Sequence, residues 1–316
     1  MRYVITGASG HIGNNLVRLI NREQPDADIV ILTRRSSPRE LDGARYREAV
    51  GDLFDVDFLR ANIAAGDVVV HAAGLIDLTD KRAAETERVN VELTKRICDV
   101  SREQGVARFL YIGSVDGIKK AENDAIITEP TRYDPTAVAG HYGQSKAKAA
   151  AYVCEQMAQY PDFSAAIVLP SAVIGVNDHK PSAAGKIIRD TLRGKVELGI
   201  DGGYNFVDVI DVCRVIVRLA HGRERDSYIV CGEAVTVKEL YERINRQTGA
   251  RRRPIILPTW LVRLFLPLIP MLNKITLKAL SEPHRYSCEK AQRELGFTPT
   301  PLDDTLRDTI AWFQES

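Results

Sequence analysis

Apolar residues come along the chain in short blocks, and the spacing inside each block names its element. Tyr3-Val4-Ile5 is a compact run of strand type that stops at Gly7, and Ile12, Leu16, Leu19 and Ile20 follow at helical spacing. Ile29 to Thr33 predicts a second strand and Tyr46 to Val50 a third. Asp67 to His71 is a fourth, with Val68-Val69-Val70 apolar on both faces, as a buried parallel strand requires. Arg82 to Gln104 reads as a long helix, Arg108 to Ile112 as a fifth strand, His141 to Tyr160 as a second long helix, and Phe163 to Leu169 as a sixth strand. Strands and helices in alternation predict an α/β fold, a doubly wound parallel sheet over residues 1–170. Beyond Pro170 helical segments (Ala183 to Arg193, Ile210 to Ala220, Val237 to Thr248) mix with short strands such as Tyr228 to Val230, and prolines and glycines are frequent. Residues 171–316 are therefore expected to form a smaller, mainly substrate-binding lobe, with some elements packing back on the sheet.

The turn after the first strand changes this from architecture to chemistry. Gly7-Ala8-Ser9-Gly10-His11-Ile12-Gly13 spaces its glycines as G-x-x-G-x-x-G. Such a turn lets the backbone approach a pyrophosphate while free N–H groups at the helix start face the anion, the arrangement of a Rossmann dinucleotide site. Gly7, Ser9, Gly10, His11, Ile12 and Gly13 are the candidate cofactor contacts. The second strand ends in Arg34-Arg35, where an acidic residue would favour the free 2′-hydroxyl of NAD. Two arginines favour the 2′-phosphate of NADP, with NAD the alternative. Small residues at the end of the fourth strand, His71-Ala72-Ala73-Gly74, allow a flat ligand to come close, whereas a lone His71 reads as a packing residue.

Composition removes several classes of function. Lys plus Arg (43) balance Asp plus Glu (42), so no global field draws the protein to nucleic acid. The triplet Arg251-Arg252-Arg253 reads as a solvated loop. Five separate cysteines without a C-x-x-C pair read as reduced thiols in a reducing, cytoplasmic compartment, and no metal site is expected. The first strand starts at once, without a charged-then-apolar leader. Ile255 to Leu280 is broken by Pro258, Pro267, Pro270 and Arg263, so no transmembrane segment is expected.

Tyr142 and Lys146 stand four residues apart in Tyr-Gly-Gln-Ser-Lys, on one side of the second long helix. An ammonium beside a phenol favours phenolate, so Lys146 is expected to lower the Tyr142 pKa. Ser114 follows the fifth strand, at the carboxyl edge where open α/β sheets place ligands, and its hydroxyl could hold a substrate oxygen.

With these residues in place the sequence resembles an extended short-chain dehydrogenase/reductase of the NAD-dependent epimerase/dehydratase family. The resemblance runs through Thr6 to Gly13, Gly51-Asp52-Leu53, His71-Ala72-Ala73, Asn90-Val91, Ser114, Tyr142 to Lys146, Phe206-Val207-Asp208-Val209 with Asp211, and Leu295-Gly296-Phe297-Thr298-Pro299. It implies that Tyr142 is the general acid/base, that Lys146 lowers its pKa and holds the nicotinamide ribose, and that Ser114 orients the substrate oxygen. It also implies that Asp52 and Leu53 flank the adenine, that Ala72, Ala73 and Pro170 line the cofactor, that Asn90 is structural, and that the two long helices pair in a homodimer. Ser114-Val115-Asp116 lacks the full acid pair of sugar-nucleotide dehydratases, and Asp116 reads as a loop carboxylate before a substrate contact. Tyr204 stands where many sugar-nucleotide epimerases carry an arginine. Trp260, Leu261, Leu264, Phe265, Leu266 and Leu268 suggest packing within the lobe or a greasy wall over the substrate, with a peripheral membrane contact the third reading. These departures point to the branch resembling dihydroflavonol reductases and 3β-hydroxysteroid dehydrogenases. The expectation is hydride transfer between nicotinamide and a carbonyl or secondary alcohol of a small, mainly apolar substrate. A sugar-nucleotide epimerase or dehydratase with tightly bound NAD is the alternative, and a non-catalytic dinucleotide sensor the lesser one.

Overall fold

Buried apolar strands paired in parallel make the frame. The computed structural model describes residues 1–36, 39–121, 125–195, 197–250, 252–265, 277 and 285–315, the side chains of 264 and 265 excepted. The main sheet has seven strands, all parallel: β1 (Arg2–Thr6), β2 (Asp28–Thr33), β3 (Arg47–Val50), β4 (Val68–His71), β5 (Arg108–Ile112), β6 (Ala165–Pro170) and β10 (Ser227–Val230). Their order is β10-β6-β5-β4-β1-β2-β3. The direction of winding reverses between β1 and β4, and the crevice at their carboxyl ends is where this topology places a ligand.

Alternation along each strand divides the core. Tyr3, Ile5, Ile31, Val68, Val70 and Leu110 face α1 (His11–Glu23), α7 (Val209–His221) and α10 (Glu289–Leu295). Val4, Val30, Val69, Phe109 and Ile167 face α2 (Val56–Asn62), α4 (Leu93–Glu103) and α5 (His141–Gln159). Seven expected elements therefore form within a residue or two of their predicted limits, and the sheet gains β10 from beyond residue 170, with α7 and α10 covering it.

Two predictions need correction. The helix expected over 82–104 is α3 (Ala83–Glu87), a π-turn (Arg88–Glu92) and then α4. The lobe holds strands that the pattern did not announce. β7 (Ala172–Ile174), β9 (Gly203–Asp208) and β11 (Glu233–Thr236) form a second sheet with β9 central, parallel to β7 and antiparallel to β11. With α6 (Ala183–Leu192), α8 (Val237–Thr248) and α11 (Leu302–Glu315), it encloses a separate core that includes Ile174, Ile188, Phe206, Leu240 and Leu306. β8 (Leu198–Ile200) and β12 (Ile255–Leu257) pair as a two-stranded ribbon, followed by α9 (Thr259–Phe265).

All five cysteines are free thiols, with Cys98, Cys213 and Cys231 buried. Among the described residues no helix is long and apolar enough to cross a membrane. Of the basic triplet, Arg251 lies outside the described residues, Arg252 donates to the Thr191 carbonyl at 2.6 Å, and Arg253 is exposed. Leu266 and Leu268 of the expected greasy wall also lie outside the described residues.

Candidate active site

The glycine turn is tight for a stated steric reason. Gly7 has φ +73°, and a Cβ there would lie 2.5 Å from the Ala73 nitrogen and 2.6 Å from the Ala72 carbonyl. A Cβ on Gly13 would lie 2.2 Å from the Gly7 oxygen, so α1 could not start so close to β1 with any other residue. Gly10 is exposed as N-cap of α1, with no side-chain cap hydrogen bond and no acidic residue in the first turn. A glycine cradle at an uncapped helix start, facing Ala72 and Ala73 across β4, fits a dinucleotide pyrophosphate. Ser9 and Ile12 are half-buried at its rim.

The His11 side chain turns away from this cradle. Its Nε2–H donates to the Val176 carbonyl at 3.0 Å, and burial holds its pKa below the usual histidine value. Asn14 and Asn15 extend the same contact: their amides donate to the carbonyls of Asn177 and Val176 at 3.1 and 2.9 Å. The first turn of α1 is thus tied to the segment after β7, and what His11 can offer a phosphate is its backbone.

Arg34 and Arg35 are exposed beyond β2 and form no salt bridge among the described residues, although Arg34 is near enough to α3 to lower the Glu85 pKa. Asp52 is exposed after β3 and accepts from the Phe54 N–H at 3.0 Å, while Leu53 is buried. Pro170 ends β6 beside Val230.

A buried polar chain connects the cradle to the π-turn. Thr94 Oγ1 donates to the Asn90 carbonyl at 2.7 Å, so it must accept the 2.9 Å bond from His71 Nε2–H. That leaves His71 Nδ1 to accept from the Thr6 hydroxyl at 2.7 Å. Full burial pushes the His71 pKa down to about 3, which keeps this neutral tautomer. His71 is the packing residue that its isolation suggested. Asn90 is structural in a specific way. Its Oδ1 accepts from Leu75 N–H at 2.8 Å, and its Nδ2 donates to the Leu75 carbonyl and to Ser145 Oγ, each at 2.9 Å. Ser145 then donates to the Tyr142 carbonyl at 2.7 Å.

Ser114, Tyr142 and Lys146 converge where β5 ends. The 3-10 turn Val115–Gly117 packs on α5, and a Cβ on Gly117 would lie 3.0 Å from the Ala147 nitrogen. Ser114 lies close enough to Tyr142 to exert a lowering influence on its pKa. Lys146 Nζ donates to the Ile112 carbonyl at 2.9 Å and lies 5.1 Å from the Tyr111 ring centroid.

Burial dominates the pKa of both groups. Burial pushes Tyr142 well above the usual phenol value, Asp116 adds to the rise, and the nearby Ser114 hydroxyl only partly offsets it. Burial instead lowers the Lys146 pKa to about 8.

The site also contains Lys120 and Tyr286, which the sequence reading passed over, and it revises the reading of Asp116. Asp116 is not a free loop carboxylate: Lys120 Nζ pairs with its Oδ1 at 3.3 Å, and Ser114 Oγ stands 3.5 Å from its Oδ2. Lys120 Nζ also donates to Tyr286 Oη at 2.5 Å and to the Val115 carbonyl at 3.1 Å. The Asp116 charge raises the pKa of Tyr204 and Tyr286 as well as Tyr142, although burial is the larger cause for each. A carboxylate, an ammonium and three phenols therefore surround the approach to Ser114. The Asp116–Lys120 spacing of four was a visible signal, but no local pattern could bring in Tyr286, 166 residues further on.

The fold, the cradle and the Ser–Tyr–Lys cluster define a nicotinamide-dependent α/β enzyme. The family model described as "NAD dependent epimerase/dehydratase family" matches residues 3–231, and the chain belongs to that family. It is similar to sterol demethylase protein B of Methylococcus capsulatus, 28% identical over 100% of this chain and 99% of that one. It is also similar to a putative dihydroflavonol 4-reductase of Synechocystis, 28% identical over 99% of this chain and 94% of that one. Among solved structures it resembles MoeE5 in complex with UDP-glucose and NAD, with TM-score 0.79 and 25% identity over 100% of this chain and 99% of that one.

Proposed function

We propose that the protein interconverts a ketone and a secondary alcohol on a small, mainly apolar, ring-bearing substrate, with NADP preferred over NAD. The observation that carries this reading is the convergence of Ser114 and Tyr142 beside Lys146, at the carboxyl edge of the sheet and next to the glycine cradle. The nicotinamide, when bound, supplies or accepts the hydride. Gly7, Ser9, Gly10, Ile12 and Gly13 would hold the pyrophosphate, with His11 adding its backbone. Asp52 and Leu53 would flank the adenine, and Ala72, Ala73 and Pro170 would line the pocket. Arg34 and Arg35 would meet the 2′-phosphate.

In the reducing direction Tyr142 gives its phenolic proton to the carbonyl oxygen as the carbon gains the hydride, and Ser114 donates a hydrogen bond to that oxygen. Burial keeps the phenol protonated and so poised to donate. In the oxidising direction the same group must take a proton, and the Lys146 charge, held behind Tyr142, offsets the phenolate. The substrate side is assigned to Tyr204 of β9 and to Tyr286, both contributed by residues 171–316. The similarity to sterol demethylase protein B and to a dihydroflavonol 4-reductase favours polycyclic, hydroxyl-bearing substrates. Five scattered free thiols fit a cytoplasmic setting.

A sugar-nucleotide reading draws on the UDP-glucose complex of MoeE5. Against it, Tyr204 offers a phenol and not a guanidinium to a diphosphate. The deciding experiment compares wild type with Tyr142→Phe on steroid, flavonoid and aryl ketones with NADPH. Wild type should oxidise NADPH with one of these classes. The variant should lose about 10²- to 10⁴-fold in kcat with NADPH affinity largely kept. Undiminished turnover in Tyr142→Phe would refute the acid/base assignment. Conversion of a UDP-sugar without net cofactor turnover would establish the sugar-nucleotide reading instead.

A further inference from the structure

The ribbon of β8 and β12 is apolar on both sides, and packing within the lobe accounts for only one. On the inner side a Cβ on Gly199 would lie 2.6 Å from Val237, 3.0 Å from Ile256 and 3.6 Å from Tyr241, so this side lies against α8. Strand alternation turns Leu198 and Ile200 to the other side, and the register pairs Leu198 with Ile255 and Ile200 with Leu257. Leu198 is 57% exposed and Ile255 52%. Thr259 Oγ1 donates to the Asp201 carbonyl at 3.0 Å, which fixes the start of α9 at the end of this ribbon, and there Trp260 is 69% exposed. Aliphatic side chains in a row with an exposed indole are an interaction surface, not scattered surface residues.

The charges around this face have one prevailing sign. Lys195 is answered by Asp190, and Arg252 by Glu197 at 4.0 Å. Arg253 and Arg263 are exposed and form no salt bridge among the described residues. Arg253 precedes Ile255 by two residues, and Arg263 lies one turn beyond Trp260 on the same side of α9. Asp201 is the exposed acid at this edge.

We propose that this face docks the protein on the surface of an anionic phospholipid bilayer. The aliphatic row and the Trp260 indole would enter the boundary between headgroups and acyl chains, and Arg253 and Arg263 would meet lipid phosphates. A second copy of this chain is a poorer occupant, because a two-fold contact would set the same uncompensated arginines against each other. The inference goes beyond the proposed reaction and does not depend on it.

The test uses the full chain carrying Trp312→Phe, so that Trp260 is the sole tryptophan. Vesicles of equimolar phosphatidylglycerol and phosphatidylcholine should sediment the protein and move Trp260 emission to the blue, whereas phosphatidylcholine vesicles should not. Arg253→Gln and Arg263→Gln should each weaken binding about fivefold, and added salt should weaken it further. Leu198→Ser combined with Ile255→Ser should abolish binding with thermal unfolding unchanged. If that pair fails to fold, the arginine variants on the native background decide the matter. Absence of binding to the anionic vesicles would overturn the proposal, as would binding that leaves Trp260 emission and the arginine variants unaffected. A concentration-dependent dimer that Leu198→Ser dissociates would also overturn it, assigning the face to a second copy.

Discussion

At the scale of single residues, burial and charge work against each other around Lys146. Its ammonium has no carboxylate partner among the described residues, and burial lowers its pKa from 10.5 to about 8. A folded-state value below the unfolded one means that the stabilising contribution is complete only above about pH 10.5. It is lost as pH falls through about 8, so at pH 7 the buried charge is a net cost. Lys146→Met should therefore raise stability at pH 7 by about 1–3 kcal/mol, after allowing for the bond lost by the Ile112 carbonyl, and the gain should vanish above pH 10.5. Turnover should nevertheless collapse. Denaturant unfolding at pH 7 and pH 10.5 measures this, and a variant less stable than wild type at pH 7 would show that the ammonium is not strained. Arg34 and Arg35 belong to the same scale. Titration calorimetry should find NADPH bound more tightly than NADH, and Arg34→Ala with Arg35→Ala should erase the difference; unaltered preference would remove the 2′-phosphate assignment. The identities of Ser114, Tyr142 and Lys146 were legible from type and spacing. The direction of the Tyr142 shift was not, because spacing along a helix does not reveal how deeply the phenol is buried or that Asp116 lies near it.

At the scale of elements, the π-turn is what the sequence concealed. A helix-period pattern runs through residues 82–104 with one register, yet Arg88–Glu92 is wound more loosely and presents Asn90 to Leu75 and Ser145. Such turns often occur at functional sites, and here the loosened turn joins the end of β4 to the helix that carries Tyr142. Asn90→Ala would leave both Leu75 backbone groups and the Ser145 hydroxyl without this partner. We expect a loss of about 2 kcal/mol or more in stability and a fall in kcat larger than the change in cofactor affinity. Equal losses in both would mean that Asn90 supports the fold without positioning α5. The main-sheet strands other than β3 were legible because each is a buried, largely apolar run, whereas β3 at the sheet edge is mostly exposed. β7, β8 and β12 have three residues each, and β9 pairs with partners some thirty residues away on either side, so local periodicity has too few positions from which to read them.

At the scale of the whole molecule, the core of the main sheet crosses the division near residue 170. The sheet face under α1 is completed by Val212, Val215, Ile216 and Leu219 of α7, by Tyr228 and Val230 of β10, and by Leu295 of α10, all from beyond that point. Arg108, the first residue of β5, is buried and has no salt bridge among the described residues. It donates to the carbonyls of Leu219 and Glu224 at 2.9 and 2.7 Å and to Ser164 Oγ at 2.6 Å. Removing the later segment would expose one face of the main sheet and leave two arms of that guanidinium with no acceptor in the fold. A fragment of residues 1–170 should therefore fail to unfold cooperatively and should bind a hydrophobic dye, although it contains the whole glycine cradle and all three of Ser114, Tyr142 and Lys146. If that fragment instead melted in a single sharp transition and bound NADPH, α7, β10 and α10 would be decoration on an independent domain. The ties from Asn14 and Asn15 to the segment after β7 argue against that outcome, since they fasten the start of the cofactor helix to residues that the fragment lacks.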